Sequence, residues 1–170
     1  MSILIFDSTP LIYLGKAELL VHLKDLEHEM LIPMSIHEDV VIRGKQKGAL
    51  DALRIEEVVR DGILKVQDVE QGEMHSGLAG NESLSRSDPD VIELAFSKGG
   101  IALIDESHGR AVCEIENIKH RGSPWISREL LLEGVITKKD ARASLDRMVD
   151  GGWFCSTRLY SRALDLFLDK

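Results

Sequence analysis

Ser2-Ile3-Leu4-Ile5-Phe6-Asp7-Ser8-Thr9-Pro10 is the stretch on which the fold turns. Its apolar run, Ile3 to Phe6, is too short for a helix and is followed at once by turn and capping residues. It therefore reads as a short strand buried on both faces, as in a parallel sheet. Asp7 closes that strand. Thr9 predicts an N-cap with Pro10 at the first helical position, where the missing N–H costs nothing. Leu11, Ile12, Leu14, Leu19, Leu20 and Leu23 then supply the apolar stripe of a helix expected to end near residues 27–29. An acid at this junction lies on the carboxyl edge of an open α/β sheet, where such folds bind ligands. An acid ending a strand is equally the ordinary residue of a turn or cap, and only a recurrence gives it more weight.

The recurrence comes at Ile101-Ala102-Leu103-Ile104, a second buried run that ends on Asp105 and passes through Glu106-Ser107-His108-Gly109-Arg110 into a helix over 111–118. Between the two, Met30-Leu31-Ile32-Pro33 predicts a strand. Ser35-Ile36-His37-Glu38 has the form of a capping box, so a helix begins there with Glu38 in its first turn. A helix over 49–60 and a weak strand over 63–66 follow. Residues 71–86 read as a surface loop with His75 solvated. Ser87-Asp88-Pro89-Asp90 opens a helix that stops at Gly99-Gly100, and residues 118–121 predict a fifth strand. The tail is helical: an amphipathic stretch over 125–133, a helix capped by Thr137 and ended by Gly151-Gly152, and a last one capped by Ser156-Thr157.

With 170 residues, 44% of them apolar, the chain suits one core. The expectation is a single domain over 1–170, an α/β core over 1–122 with a helical extension over 123–170. No basic leader precedes an apolar segment and no run approaches a membrane span, which predicts a cytoplasmic protein without membrane contact. Cys113 and Cys155 lack metal-site spacing and are expected to be buried, reduced thiols. A net charge of −8 argues against gripping nucleic acid through a broad basic face. It leaves room for a local basic patch beside an acidic, cation-loaded site.

Strands alternating with helices imply a parallel sheet with every carboxyl end on one edge. Asp7 and Asp105 then face one crevice, and Glu38 and Asp88, each opening a helix, lie toward the same edge. Carboxylates so gathered repel one another unless a cation neutralises them, and oxygen ligands suit Mg²⁺ or Mn²⁺, ions used to activate water against a phosphodiester. Taken singly, Glu38 as the arm of a capping box and Asp88 as a cap before proline need no chemistry.

These residues carry a resemblance. Ile5-Phe6-Asp7-Ser8-Thr9-Pro10-Leu11-Ile12 resembles the opening of PIN domains. Ser35-Ile36-His37-Glu38-Asp39-Val40-Val41, with Arg43-Gly44-Lys45, is similar to their second acidic motif. The stretch from Leu84 through Asp88-Pro89-Asp90 to Ala95 is similar to the third, and Leu103-Ile104-Asp105-Glu106 with Gly109-Arg110-Ala111-Val112 to the fourth. The Gly122-Ser123 turn, Gly134-Val135-Ile136-Thr137 and Gly152-Trp153-Phe154 resemble the tail of a prokaryotic subgroup. No motif is specific alone; their order and spacing carry the likeness over nearly the whole chain.

The resemblance implies a three-layer α/β/α sandwich around a parallel sheet, with extra C-terminal helices. It also implies a Mg²⁺- or Mn²⁺-dependent ribonuclease like the toxins of toxin–antitoxin pairs, acting as a homodimer and restrained by an antitoxin protein. Asp7 and Asp105 become direct metal ligands, with Glu38 and Asp88 completing the catalytic site. Asp90 and Glu93 stand as alternatives to Asp88 as the third acid, and Ser8, Thr9, Glu106 and Asp90 are accessory candidates. Arg110, Arg43, Lys45 and Lys47 are candidates for contact with the RNA backbone, while His37, His108 and His120 are assigned no role. Two rivals remain. A catalytically diverged PIN-like module acting through protein–protein contact fits the same acids. A phosphatase of the haloacid-dehalogenase type fits poorly, because it needs an acid where this chain has Thr9.

Overall fold

The computed structural model describes residues 1–168; Asp169 and Lys170, the end of the expected helical extension, lie outside the described residues. Five strands, β1 (Ile3–Phe6), β2 (Glu29–Pro33), β3 (Lys65–Gln67), β4 (Ile101–Leu103) and β5 (Lys119–Arg121), form one parallel sheet in the order β3-β2-β1-β4-β5. β1 is central because it is the most apolar. Leu4, Ile5 and Phe6 are fully buried, with Leu4 in register with Met30 on one side and Ile101 on the other. The close approach of β4 requires Gly100: a Cβ there would lie 2.3 Å from Ile5 Cδ1 and 2.9 Å from the Ile3 carbonyl oxygen. From β1 the chain steps to β2 and β3, then returns to the other side of β1 as β4. Strand order thus reverses between β1 and β4, and their carboxyl ends flank the switch point where open α/β sheets bind ligands.

α1 (Ser8–Lys16) starts earlier and ends sooner than the sequence predicts. Its cap is Asp7 rather than Thr9, because the Ser8 N–H donates to Asp7 Oδ1 at 2.7 Å. It stops because Glu18 takes a left-handed conformation (φ 64), and the apolar stripe continues in a separate 3₁₀ segment, Leu20–Asp25, that still buries Leu20 and Leu23. After β2, α2 (Met34–His37) runs through wider π turns at Glu38–Arg43 into α3 (Gly44–Gln46). The expected capping box does not form, since Ser35 Oγ donates across the fold to Asp90.

α4 (Leu50–Arg60) leads to β3. The stretch read as a loop contains α5 (Glu73–Leu78), and α6 (Asp88–Lys98) ends on left-handed Gly99. α7 (Ser107–Ile115) begins at Ser107 rather than at Ala111. α8 (Ser123–Leu132), α9 (Lys138–Asp150) and α10 (Thr157–Asp165) follow β5. The Thr137 capping box and the Ser156 cap form as the sequence predicts. α6 lies across β2, β1 and β4, and α8 and α9 pack on α1, which completes the expected three-layer α/β/α sandwich. Trp153, Ala163 and Phe167 are buried, so the last helices share the core. Cys113 is buried as expected, Cys155 is only half-buried, and both are free. Among the described residues no helix is long and apolar enough to cross a membrane.

Candidate active site

Asp7 extends β1 beyond its last paired residue. Its N–H donates to the Leu103 carbonyl at 3.0 Å while Oδ1 caps α1, so the side chain is pinned at the centre of the carboxyl edge with 4% exposure. Burial is the main cause that raises its pKa from 3.8 to about 7. The charges of Asp88, Asp105 and Glu106 add to it, against the bond from Ser8.

Asp88 opens α6 and is buried. Its two carboxyl oxygens accept from Ser85 N and Ser85 Oγ, each at 2.7 Å. Asp7 and Asp88 line a cleft of about 280 Å³ with Ser8, Thr9, Asp39 and Glu106; Arg86 and His108 are the basic side chains on its wall.

Asp105 stands past the end of β4. Ser123 N (2.7 Å) donates to its Oδ1, and Ser123 Oγ (2.5 Å) and Trp153 Nε1 (3.2 Å) donate to Oδ2. Burial raises its pKa; the Ser123 and Trp153 bonds and the nearby Arg110 pull it back. Asp105 opens onto an adjoining groove of about 740 Å³, and Thr9 and Glu106 border both spaces.

The structure corrects one member of the predicted acidic set. Glu38 is exposed, and the next residue, Asp39, lines the cleft, accepting from Ser87 Oγ at 2.7 Å and pairing with Arg43 at 2.7 Å. Adjacent residues on a helix point about 100° apart, so only one of the two can face the sheet edge, and the π turns set which.

Asp90 and Glu93 turn to a different place. Asp90 accepts from Ser35 Oγ and bonds His75 Nε2 at 2.9 Å, while Glu93 accepts from the His75 backbone N–H at 2.8 Å. His75, expected in solvent, is half-buried and holds α5 onto α6. Among the basic candidates Arg110 lines the groove, Arg43 is paired to Asp39, Lys45 is paired to Glu56 at 2.7 Å, and Lys47 is exposed.

Beyond Asp39, the residues that sequence reasoning passed over are Ser85, Arg86, Ser87, Ser123 and Trp153. The hydroxyls beside Asp88 in Ser85-Arg86-Ser87 and the doublet Glu38-Asp39 were visible signals. Trp153 stands in the tail motif Gly152-Trp153-Phe154, but nothing local ties it to an acid 48 residues away.

The donors here are hard carboxylate and hydroxyl oxygens, the chemistry that Mg²⁺ and Mn²⁺ prefer. A cation would also relieve the cost of a buried Asp7 facing like charges. Among the described residues no three His, Cys, Asp or Glu side chains converge closely enough to hold an ion, because each acid is turned toward its own protein donors.

No curated protein and no solved structure matches the chain. A family model described as a PIN domain matches residues 3–168. That match runs from the first residue of β1 through the last described one and takes in every acid at the carboxyl edge of the sheet. The chain belongs to the PIN-domain family, whose members are generally nucleases.

Proposed function

We propose that the protein is a metal-dependent endoribonuclease that hydrolyses phosphodiester bonds with Mg²⁺ or Mn²⁺. The observation that carries this reading is the gathering of Asp7, Asp39, Asp88 and Glu106 around one cleft at the β1/β4 switch point, with Asp105 on its rim. Asp7, Asp88 and Asp105 are the residues to hold the ion, and Asp39 takes the part expected of Glu38. A bound ion supplies Lewis acidity and a water of lowered pKa.

The chain supplies the orientation. Ser85, Ser87 and Ser123 hold the acids from behind, Trp153 fixes Asp105, and Arg86 and Arg110 present positive charge to a phosphate. With its pKa near 7, Asp7 keeps a proton on its carboxyl in much of the metal-free protein, so cation uptake releases protons and strengthens as pH rises. The tail motifs support a narrower role, that of the toxin of a toxin–antitoxin pair, a cytoplasmic homodimer restrained by its antitoxin.

A Mn²⁺ titration followed by thermal unfolding, with RNA cleavage assayed in parallel, tests this on the wild type, Asp7→Asn and Asp105→Asn. Saturation at a hundred times Kd stabilises by about 2.7 kcal/mol. The expected result is a rise in Tm with onset of cleavage, both lost in either variant. The rival is a diverged module that acts through protein contacts, and it is favoured by the hydrogen bonds that already satisfy each acid. That rival predicts no Mn²⁺ shift, and variants that only gain stability.

A further inference from the structure

We propose that the groove beside Asp105 is a nucleotide subsite: Phe154 stacks on the base next to the scissile bond, and Arg110 and Arg162 contact its phosphate. The proposal rests on the nuclease reading and adds Phe154 and Arg162, which no acidic motif contains.

Four observations carry it. The groove is continuous with the acidic cleft, because Thr9 and Glu106 border both, so a chain whose phosphate reaches the acids passes next into the groove. Its volume of about 740 Å³ falls in the range of ligand pockets. Phe154 stands on its wall 90% exposed, a costly place for a phenyl ring, while its neighbour Trp153 is buried and bonded to Asp105. The Trp153 bond to Asp105 seats the next residue, Phe154, at the groove wall, and exposed aromatic side chains of this kind stack on single-stranded bases.

The fourth observation is electrostatic. Among the described residues neither Arg110 nor Arg162 has a salt-bridge partner, although the protein is acidic overall and both line this groove. Two cations left unpaired in one groove are suited to phosphate oxygens. Asp105, Glu106 and Glu114 line it too, which limits the favourable field to a single nucleotide rather than a long backbone tract.

The test is fluorescence anisotropy with a short labelled single-stranded RNA and metal chelated, so that binding is read without cleavage. One abasic nucleotide is walked along the RNA, against the wild type, Phe154→Ala, Phe154→Tyr and Arg162→Ala. The wild type should lose about tenfold in affinity when the abasic position falls at one register, the usual size of a base–aromatic stack. Phe154→Ala should lose the same factor on intact RNA and nothing more at that register. Phe154→Tyr should behave as the wild type, and Arg162→Ala should weaken binding equally at every register.

An abasic penalty of the same size in Phe154→Ala and wild type overturns the proposal, as does the lack of any sensitive register or of any RNA binding. Since the ring is exposed, matching melting curves verify that the variants are folded. Cleavage of the same RNA with Mn²⁺ separates the two readings. Cleavage without the Phe154 coupling removes the subsite alone, and the coupling without cleavage removes the nuclease reading alone.

Discussion

Asp7 shows at one residue how the site is in tension with the fold. Its pKa is 3.8 when unfolded and about 7 in place, so between those values the folded state holds a proton that the unfolded state has released. Stability from this group is therefore full below about pH 4 and falls as pH rises through about 7. Asp7→Asn removes the fall. In metal-free protein it should raise unfolding free energy at pH 8 by up to about 4 kcal/mol, the equivalent of the shift, and change it little at pH 4. Urea unfolding of both proteins at the two pH values checks this, and an equal effect at both would show that the carboxyl is not strained by its charge. Asp7, Asp88 and Asp105 were legible in the sequence because each sits where one kind of element ends and another begins. The Glu38/Asp39 choice was not. It depends on helical phase, and the S-x-x-E pattern that favoured Glu38 was set aside by Ser35 bonding to a residue 55 positions away.

At the level of elements, what the sequence shows is local chemistry, and what it hides is long-range competition. The five strands, the proline-opened helix α6 and the capped helices α9 and α10 were readable from apolar runs, proline position and caps, although Ser87 bonds Asp39 instead of capping α6. α1 was read too long because Leu19, Leu20 and Leu23 keep helical spacing even though the backbone turns at Glu18. α5 was missed because it is a short helix whose apolar side is only Met74 and Leu78, held in place as well by Asp90 and Glu93 of α6. That origin makes a prediction. His75→Ala removes the bond to Asp90 and should cost about 1 kcal/mol, the usual worth of a hydrogen bond. Hydrogen exchange should find the α5 amides less protected while β1 and β4 keep their protection. Uniform loss across the sheet would mean that α5 belongs to the global unfolding unit.

For the molecule as a whole, a net charge of −8 confines any nucleic acid to a small footprint. Arg86, Arg110 and Arg162 are the arginines bordering cleft and groove. Three phosphate contacts on a single strand correspond to a slope of about −2 in log affinity against log salt. Titrations over a range of KCl should give that shallow dependence, and a slope steeper than about −4 would move the RNA to another surface. The position of β1 has one more consequence, in the order of synthesis. The central strand is made first, yet its neighbours are β2, beginning at Glu29, and β4, beginning at Ile101. The Trp153 donor to Asp105 comes later still. A nascent chain therefore carries Asp7 long before it carries the rest of the cleft. The proposed site is therefore complete only once Trp153 has been made and contacts distant in sequence have slowly closed.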